Sequence, residues 1–123
     1  MQITRMIIFT RDVERLAEFY RSTFDLEFAG QASSEWAELR SGSCDLAFHR
    51  TDEQGAGRDG WTKLVFGSVD VAGDRQRLVD RGVEMTEIVE FEGIQLSDGR
   101  DPDGNSFQIS SRGMNERRNL RVV

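Results

Sequence analysis

KLVFGSVDV, residues 63–71, decides the fold, because it does for a second time what ITRMIIFTRDV, residues 3–13, has already done. In each stretch a short strand of apolar and β-branched residues runs into an Asp-Val pair that opens a helix. Ile3 to Phe9 reads as the first buried strand. Asp12 is the expected N-cap, with a carboxylate suited to the free backbone N–H groups of a first turn. Val13, Leu16, Ala17 and Tyr20 then recur at helical spacing, with Phe19 beside them, so an amphipathic helix runs to about Thr23. The second copy has its strand over Lys63 to Val69 and Asp70-Val71 as the helix start. Val71, Leu78 and Val79 form its apolar side, and Gly82 is placed to end it.

The echo extends beyond the helices. Leu26 to Ala32 suggests a second strand, and Val83-Glu84-Met85 answers it in the later half. Trp36 to Leu39 and Cys44 to Arg50 alternate as strands do, joined through Ser41-Gly42-Ser43 as a hairpin turn. Ile94-Gln95-Leu96 repeats Ala37-Glu38-Leu39 at a spacing of 57 residues, and Ser106 to Ser110 closes the second unit as Asp45 to His49 closes the first. The arrangement β-α-β-β-β therefore occurs twice. The expected fold class is α+β, with two βαβββ modules forming curled mixed sheets around a cleft. Residues 1–123 form one domain made of modules 1–50 and 61–111. Loop 51–60, TDEQGAGRDG, joins them, and a basic tail follows over 112–123.

Alternation also says which side chains leave the helix-covered face. Leu46 and Phe48 belong with the helix, so Asp45, Ala47 and His49 share the opposite face. Phe107 and Ile109 belong with the helix, so Ser106, Gln108 and Ser110 face away from it. Two such sheets side by side would enclose a concave, partly polar cleft suited to a small molecule.

The chain resembles the vicinal oxygen chelate superfamily, which includes glyoxalase I, extradiol dioxygenases and bleomycin resistance proteins. The resemblance rests on the opening strand followed by RDVERLAEFY (residues 11–20), on Val69-Asp70-Val71, and on DPDGNSFQI (residues 101–109). In the last motif Pro102 presets φ, Asp103 caps locally and Gly104 permits positive φ, which makes it a turn rather than a catalytic element. The resemblance implies a metal site built from four cleft-facing positions, on the first and last strands of each half, usually His or Glu. Here those positions fall on Arg5, Ala47, Leu64 and Gln108. A register slip on the third would offer Thr62, Lys63 or Phe66. A guanidinium does not ligate divalent metals, and a catalytic metal needs about three His, carboxylate or thiolate ligands. The chain has one His. No cofactor is therefore expected.

The resemblance thus implies a glyoxalase-like protein that binds or sequesters a small molecule in its cleft. The alternative is a metal-dependent lyase, isomerase or dioxygenase with an atypical site around His49 and Asp45, in which His49 ligates or acts as base. Arg5, Phe9, Glu38, Asp45, His49, Trp61, Leu64, Phe66 and Gln108 are the candidate ligand-contacting residues. Arg5 could hold an anionic ligand through its planar fork or form an internal salt bridge with Glu38 or Asp45. Trp36 and Trp61 are suited to stacking on a planar or cationic ligand, or to packing. Cys44 has no adjacent base or helix end to lower its pKa.

Composition excludes other classes. Sixteen basic against twenty-two acidic residues give a net charge of −6, which disfavours a nucleic acid partner. No window approaches the roughly 18 apolar residues of a membrane span, and the apolar run Met6–Phe9 is too short for a signal-peptide core. With a single cysteine, these features point to the cytoplasm. Nucleotide-binding glycine loops, a nucleophile elbow and a Cys-x-x-Cys pair are absent from the sequence. A chain of this length in this family is expected to form a homodimer. The tail, with Arg112, Arg117, Arg118 and Arg121 against Glu116, is a candidate contact.

Overall fold

Each sheet is made of one strand that precedes a helix and three that follow it, and the order is the same in both. In the computed structural model, which describes residues 3, 5–53 and 63–114, the first unit has β1 (Arg5–Thr10), α1 (Val13–Thr23), β2 (Glu27–Phe28), β3 (Trp36–Arg40) and β4 (Asp45–Arg50). The second has β5 (Leu64–Gly67), α2 (Val71–Asp80), β6 (Val89–Phe91), β7 (Ile94–Arg100) and β8 (Ser106–Ser110). The sheet orders are β1-β4-β3-β2 and β5-β8-β7-β6, with the β1–β4 and β5–β8 pairs parallel and the rest antiparallel. The fold is α+β with two open, mixed sheets. Among the described residues, those up to 53 with 101–105 form one compact unit, and those over 63–100 with 106–114 form the other.

Both helices start where the Asp-Val pairs lie. Asp12 accepts from the Arg15 backbone N–H at 3.1 Å, and Asp70 accepts from that of Gly73 at 3.0 Å. Helix α1 packs on β3 and β4 and buries Val13, Leu16, Ala17 and Tyr20. The Tyr20 ring stacks on Phe48, 5.6 Å between centroids. Helix α2 packs on β7 and β8, where Val71 and Leu78 meet a core containing Phe107 and Ile109. This one-sided burial is what stabilises each sheet–helix layer.

Several strand boundaries differ from those read off the sequence. The first strand is Arg5–Thr10, with Ile3 outside it and exposed. The expected strand Leu26 to Ala32 forms over Glu27–Phe28 alone, because Asp25 (φ 55°) and Gly30 (φ 81°) turn the backbone on either side. Val83–Met85 does not form a strand. Met85 makes one bridge to Gly99, and the partner strand of β7 is Val89–Phe91. The missed signal was the two-residue hairpin turn Glu92-Gly93, where φ is positive at both positions (51° and 77°) as the tight primed turn requires. Strand β7 also runs past Leu96 to Arg100. Residues 54–60 of the expected loop, and residues 115–123 of the tail, lie outside the described residues.

Candidate functional sites on the open sheet faces

Strand β4 is central in the first sheet, so its side chains are flanked on both sides. Register places Arg5 opposite Asp45, Ile7 and Glu38 opposite Ala47, and Phe9 and Trp36 opposite His49. These side chains share the face turned away from α1, where the alternation expected Arg5, Phe9, Glu38, Asp45 and His49. Two groupings result.

The first is an ion pair. Arg5 Nε donates to Glu38 Oε1 at 3.1 Å and Nη2 donates to Oε2 at 3.2 Å, a two-pronged contact. Because β4 lies between β1 and β3, the pair bridges that strand, and Ala47 in the same region is fully buried. A longer residue at 47 would intrude on it. Of the two partners foreseen for Arg5, the structure selects Glu38. The Arg5 side chain remains 47% exposed and that of Glu38 only 11%, so the carboxylate is covered and the outer edge of the guanidinium is open. Among the described residues, Asp45 makes no ion pair within 4.0 Å.

The second grouping is aromatic. The His49 ring lies edge-to-face with Phe9 (centroids 5.6 Å) and with Trp36 (5.8 Å). Its Nδ1 is 2.9 Å from the Arg50 carbonyl oxygen, which only accepts, so Nδ1 carries a proton and Nε2 is the ring nitrogen left without that contact. Phe9 is 55% exposed, a large apolar surface for a strand residue. His49 thus sits among rings, not among carboxylates. Cys44 is a half-buried free thiol whose Sγ lies 3.8 Å from the Asp45 carbonyl oxygen.

On the second sheet, register corrects two expectations. Leu64 pairs with Phe107 and Phe66 with Ile109, which places both on the helix-covered side. Phe66 makes an edge-to-face contact with Phe107. Both are half-buried on that side and do not belong to the open face. Val65 stands opposite Gln108 instead. Gln108 donates through Nε2 to Asp98 Oδ1 at 3.0 Å, and Lys63 Nζ lies 3.4 Å from the same oxygen. The Lys63–Asp98–Gln108 cluster was missed because the third strand of this unit was read only to Leu96. Continuing the alternation through Leu96, Asp98 and Arg100 would have found it. Trp61 lies outside the described residues.

The Asp101–Asn105 turn groups with the first unit although it joins two strands of the second. Asp101 is nearly buried, and its carboxylate accepts from the backbone N–H of Asp103 (2.9 Å) and Asn105 (2.8 Å), from Asn105 Nδ2 (2.8 Å) and from the Tyr20 hydroxyl (2.7 Å). Burial, followed by the charge of Asp101, pushes the Tyr20 phenol far above its ordinary range. Asp103 accepts from Thr10 Oγ1 at 2.6 Å and pairs with Arg15 at 3.0 Å. All these contacts hold the turn in place, as expected of a structural motif.

The four positions that hold metal ligands in metal-dependent proteins of this kind can now be tested as donors. Arg5 is a cation engaged with Glu38, Ala47 has no donor atom, Leu64 is turned to the core with Val65 in its place, and Gln108 offers a single amide oxygen. This set does not fit a divalent metal. Among the described residues, no three His, Cys, Asp or Glu side chains are grouped to hold one elsewhere. No helix among them is long and apolar enough to cross a membrane.

Comparison with known proteins agrees with this architecture. A lactoylglutathione lyase from Agrobacterium tumefaciens superposes with a TM-score of 0.72 at 20% identity, covering 89% of this chain and 92% of that one. A possible glyoxalase from Bacillus cereus gives 0.72 at 18% identity, over 89% and 97%. TioX from Micromonospora sp. ML1 gives 0.72 at 15% identity, over 89% and 98%. At these identities the likeness concerns the fold. No curated protein matches the sequence significantly. The model of the glyoxalase-like domain, however, matches residues 5–110. The chain belongs to the glyoxalase-like domain family, within the vicinal oxygen chelate superfamily.

Proposed function

We propose that this glyoxalase-like protein binds a small molecule on the open face of its first sheet without a catalytic metal, holding its ligand rather than converting it. The observation that carries this reading is the Arg5–Glu38 ion pair across Ala47. A fixed guanidinium and a methyl group stand where two metal ligands would be needed, and the covered carboxylate is already engaged by two N–H donors. His49 supports the same reading. It is flanked by the rings of Phe9 and Trp36, and among the described residues it is not grouped with two further His, Cys, Asp or Glu side chains.

Metal analysis of protein purified without added metal salts tests the first half of the proposal. The expected content is far below one equivalent of Fe, Ni, Zn or Mn per chain. One tightly held equivalent, lost on His49→Ala, would overturn it in favour of a metalloenzyme. Thermal-shift screening against small metabolites tests the second half. A ligand at one hundred times its Kd stabilises the folded state by about 2.7 kcal/mol. A broad screen in which no compound raises Tm would count against binding as the function.

A further inference from the structure

We infer that Arg112–Met114 is a displaceable, autoinhibitory cover on the open face of the second sheet, and that the hollow occupied by Met114 takes an unbranched aliphatic chain when the cover lifts. This is a second site, and it does not depend on the reading of the first sheet.

Register makes the two open faces comparable position by position. Phe9 and Trp36 stand opposite His49 on the first sheet as Gly67 and Leu96 stand opposite Ser110 on the second. The charged row is repeated, since Lys63 and Asp98 meet beside Gln108 as Arg5 and Glu38 meet across Ala47. The ring cluster is not. A glycine, a serine and one leucine replace three rings, which leaves a hollow where the first sheet has bulk. Exposure nevertheless runs opposite to size: Phe9 is 55% exposed and Ser110 only 2%. The chain just beyond Ser110 supplies what lies over it.

Ser111 is still held to β7, donating its N–H to the Gln95 carbonyl at 3.0 Å and accepting the Gln95 N–H on Oγ at 2.9 Å. The chain then turns back at Gly113 (φ 72°), and the Met114 N–H donates to the Ser111 carbonyl at 3.1 Å. The Arg112 N–H donates to Ser110 Oγ at 3.1 Å, and its guanidinium lies 6.0 Å from the centre of the Phe91 ring. Met114 reaches β5. Because Leu64 and Phe66 face the helix, a side chain at position 67 would project onto the open face. A Cβ added there would collide with Met114 Sδ and come within 3.2 Å of its Cε. The thioether thus occupies the room that a larger residue 67 would fill.

Several features make this occupant exchangeable. Arg112 and Gly113 are exposed and Met114 is only half-buried. A methionine is unbranched and adaptable, filling a gap without a shape specific to it. An unbranched aliphatic chain has the same cross-section and can compete for the same space. Lys63 and Asp98 neutralise each other beside the hollow, so a neutral chain meets no unbalanced charge. A resident side chain lowers the apparent affinity of such a ligand by the fraction of molecules in which the cover is lifted.

The test titrates 1-hexanol into the full chain, with cyclohexanol as a probe of equal carbon number and different shape. NMR follows the methionine methyl groups and the Gly67 and Ser110 amides. In the parent, hexanol is expected to shift the Met114 methyl and the Gly67 amide together at millimolar concentration, and cyclohexanol to bind more weakly. Met114→Ala should bind hexanol at least about fivefold more tightly, because the internal competitor is gone. Gly67→Ala supplies an independent reading: with no alcohol present, its Met114 methyl should move to the position of a solvent-exposed methionine. Hexanol binding to Met114→Ala no tighter than to the parent overturns the inference. So does a Met114 methyl that Gly67→Ala leaves in place, or cyclohexanol binding as tightly as hexanol. Absence of any shift at Gly67 and Ser110 in both parent and Met114→Ala overturns it as well.

Discussion

Replacing Tyr20 with Phe removes one oxygen and tests whether the Asp-Pro-Asp-Gly-Asn turn is a structural clamp. The Tyr20 side chain is fully buried, its hydroxyl is 2.7 Å from Asp101 Oδ2, and Asp101 itself is 5% exposed. A hydrogen bond to a buried charged acceptor contributes about 1.5–3 kcal/mol. Asp101 keeps three other donors after the substitution, namely two backbone N–H groups and Asn105 Nδ2. The loss should therefore fall at the low end, about 1.5–2 kcal/mol. With a urea m-value of about 1–3 kcal/mol/M, the unfolding midpoint at pH 7 should drop by about 1 M. A second signature comes from pH. The folded-state phenol titrates above its unfolded value of about 10, so the stability it contributes is fully present below pH 10. Above that the unfolded state loses a proton that the folded state keeps. Stability then falls with rising pH, by up to about 1.4 kcal/mol per unit for one group. Tyr20→Phe should be less stable at neutral pH and lack this alkaline loss. A midpoint shift equivalent to under about 0.5 kcal/mol, with an alkaline limb unchanged from the parent, would refute the clamp.

Other consequences can be checked with the same protein. Gly99→Ala places a Cβ 2.6 Å from both Met85 Sδ and Phe107 Cζ, and Phe107 is fully buried; overpacking of this kind should cost about 1–3 kcal/mol in urea unfolding. Glu38→Gln breaks a pair whose arginine is about half exposed, so stability should change by no more than about 1 kcal/mol. Sedimentation equilibrium on the full chain is expected to return twice the monomer mass, in line with a homodimer, and a monomer at micromolar concentration would remove that expectation.

The elements legible in the sequence were those specified by local chemistry. Asp12 and Asp70 announce their helices because a carboxylate three residues ahead of a free N–H caps it whatever the tertiary context, and both do so. The alternation in β4 was equally readable, since Leu46 and Phe48 are plainly apolar and leave Asp45 and His49 for the other side. Strand β6 was hidden for the opposite reason. Its turn uses a glutamate, Glu92, at positive φ, where glycine or asparagine is the usual marker, and Glu90 within the short strand further disguises the hairpin.

The error at Leu64 and Phe66 shows how one residue of offset inverts a face. Arg5 lies seven positions before its helix cap Asp12, and Leu64 lies six before Asp70. Likening Leu64 to Arg5 therefore carried a change of parity, and in a four-residue strand no further side chains were available to expose it. Pairing with β8 decides the matter, because Phe107 and Ile109 must lie under α2 and their partners Leu64 and Phe66 go with them. The Arg5–Glu38 pair was beyond the sequence for a related reason. The two residues are 33 positions apart and sit on strands that are not neighbours, and the sheet order β1-β4-β3 brings them together across Ala47. From the sequence, Arg5 was equally a receptor for an anion or an internal counter-ion. With Glu38 holding it in two hydrogen bonds, the internal counter-ion is the role that the sheet order realises.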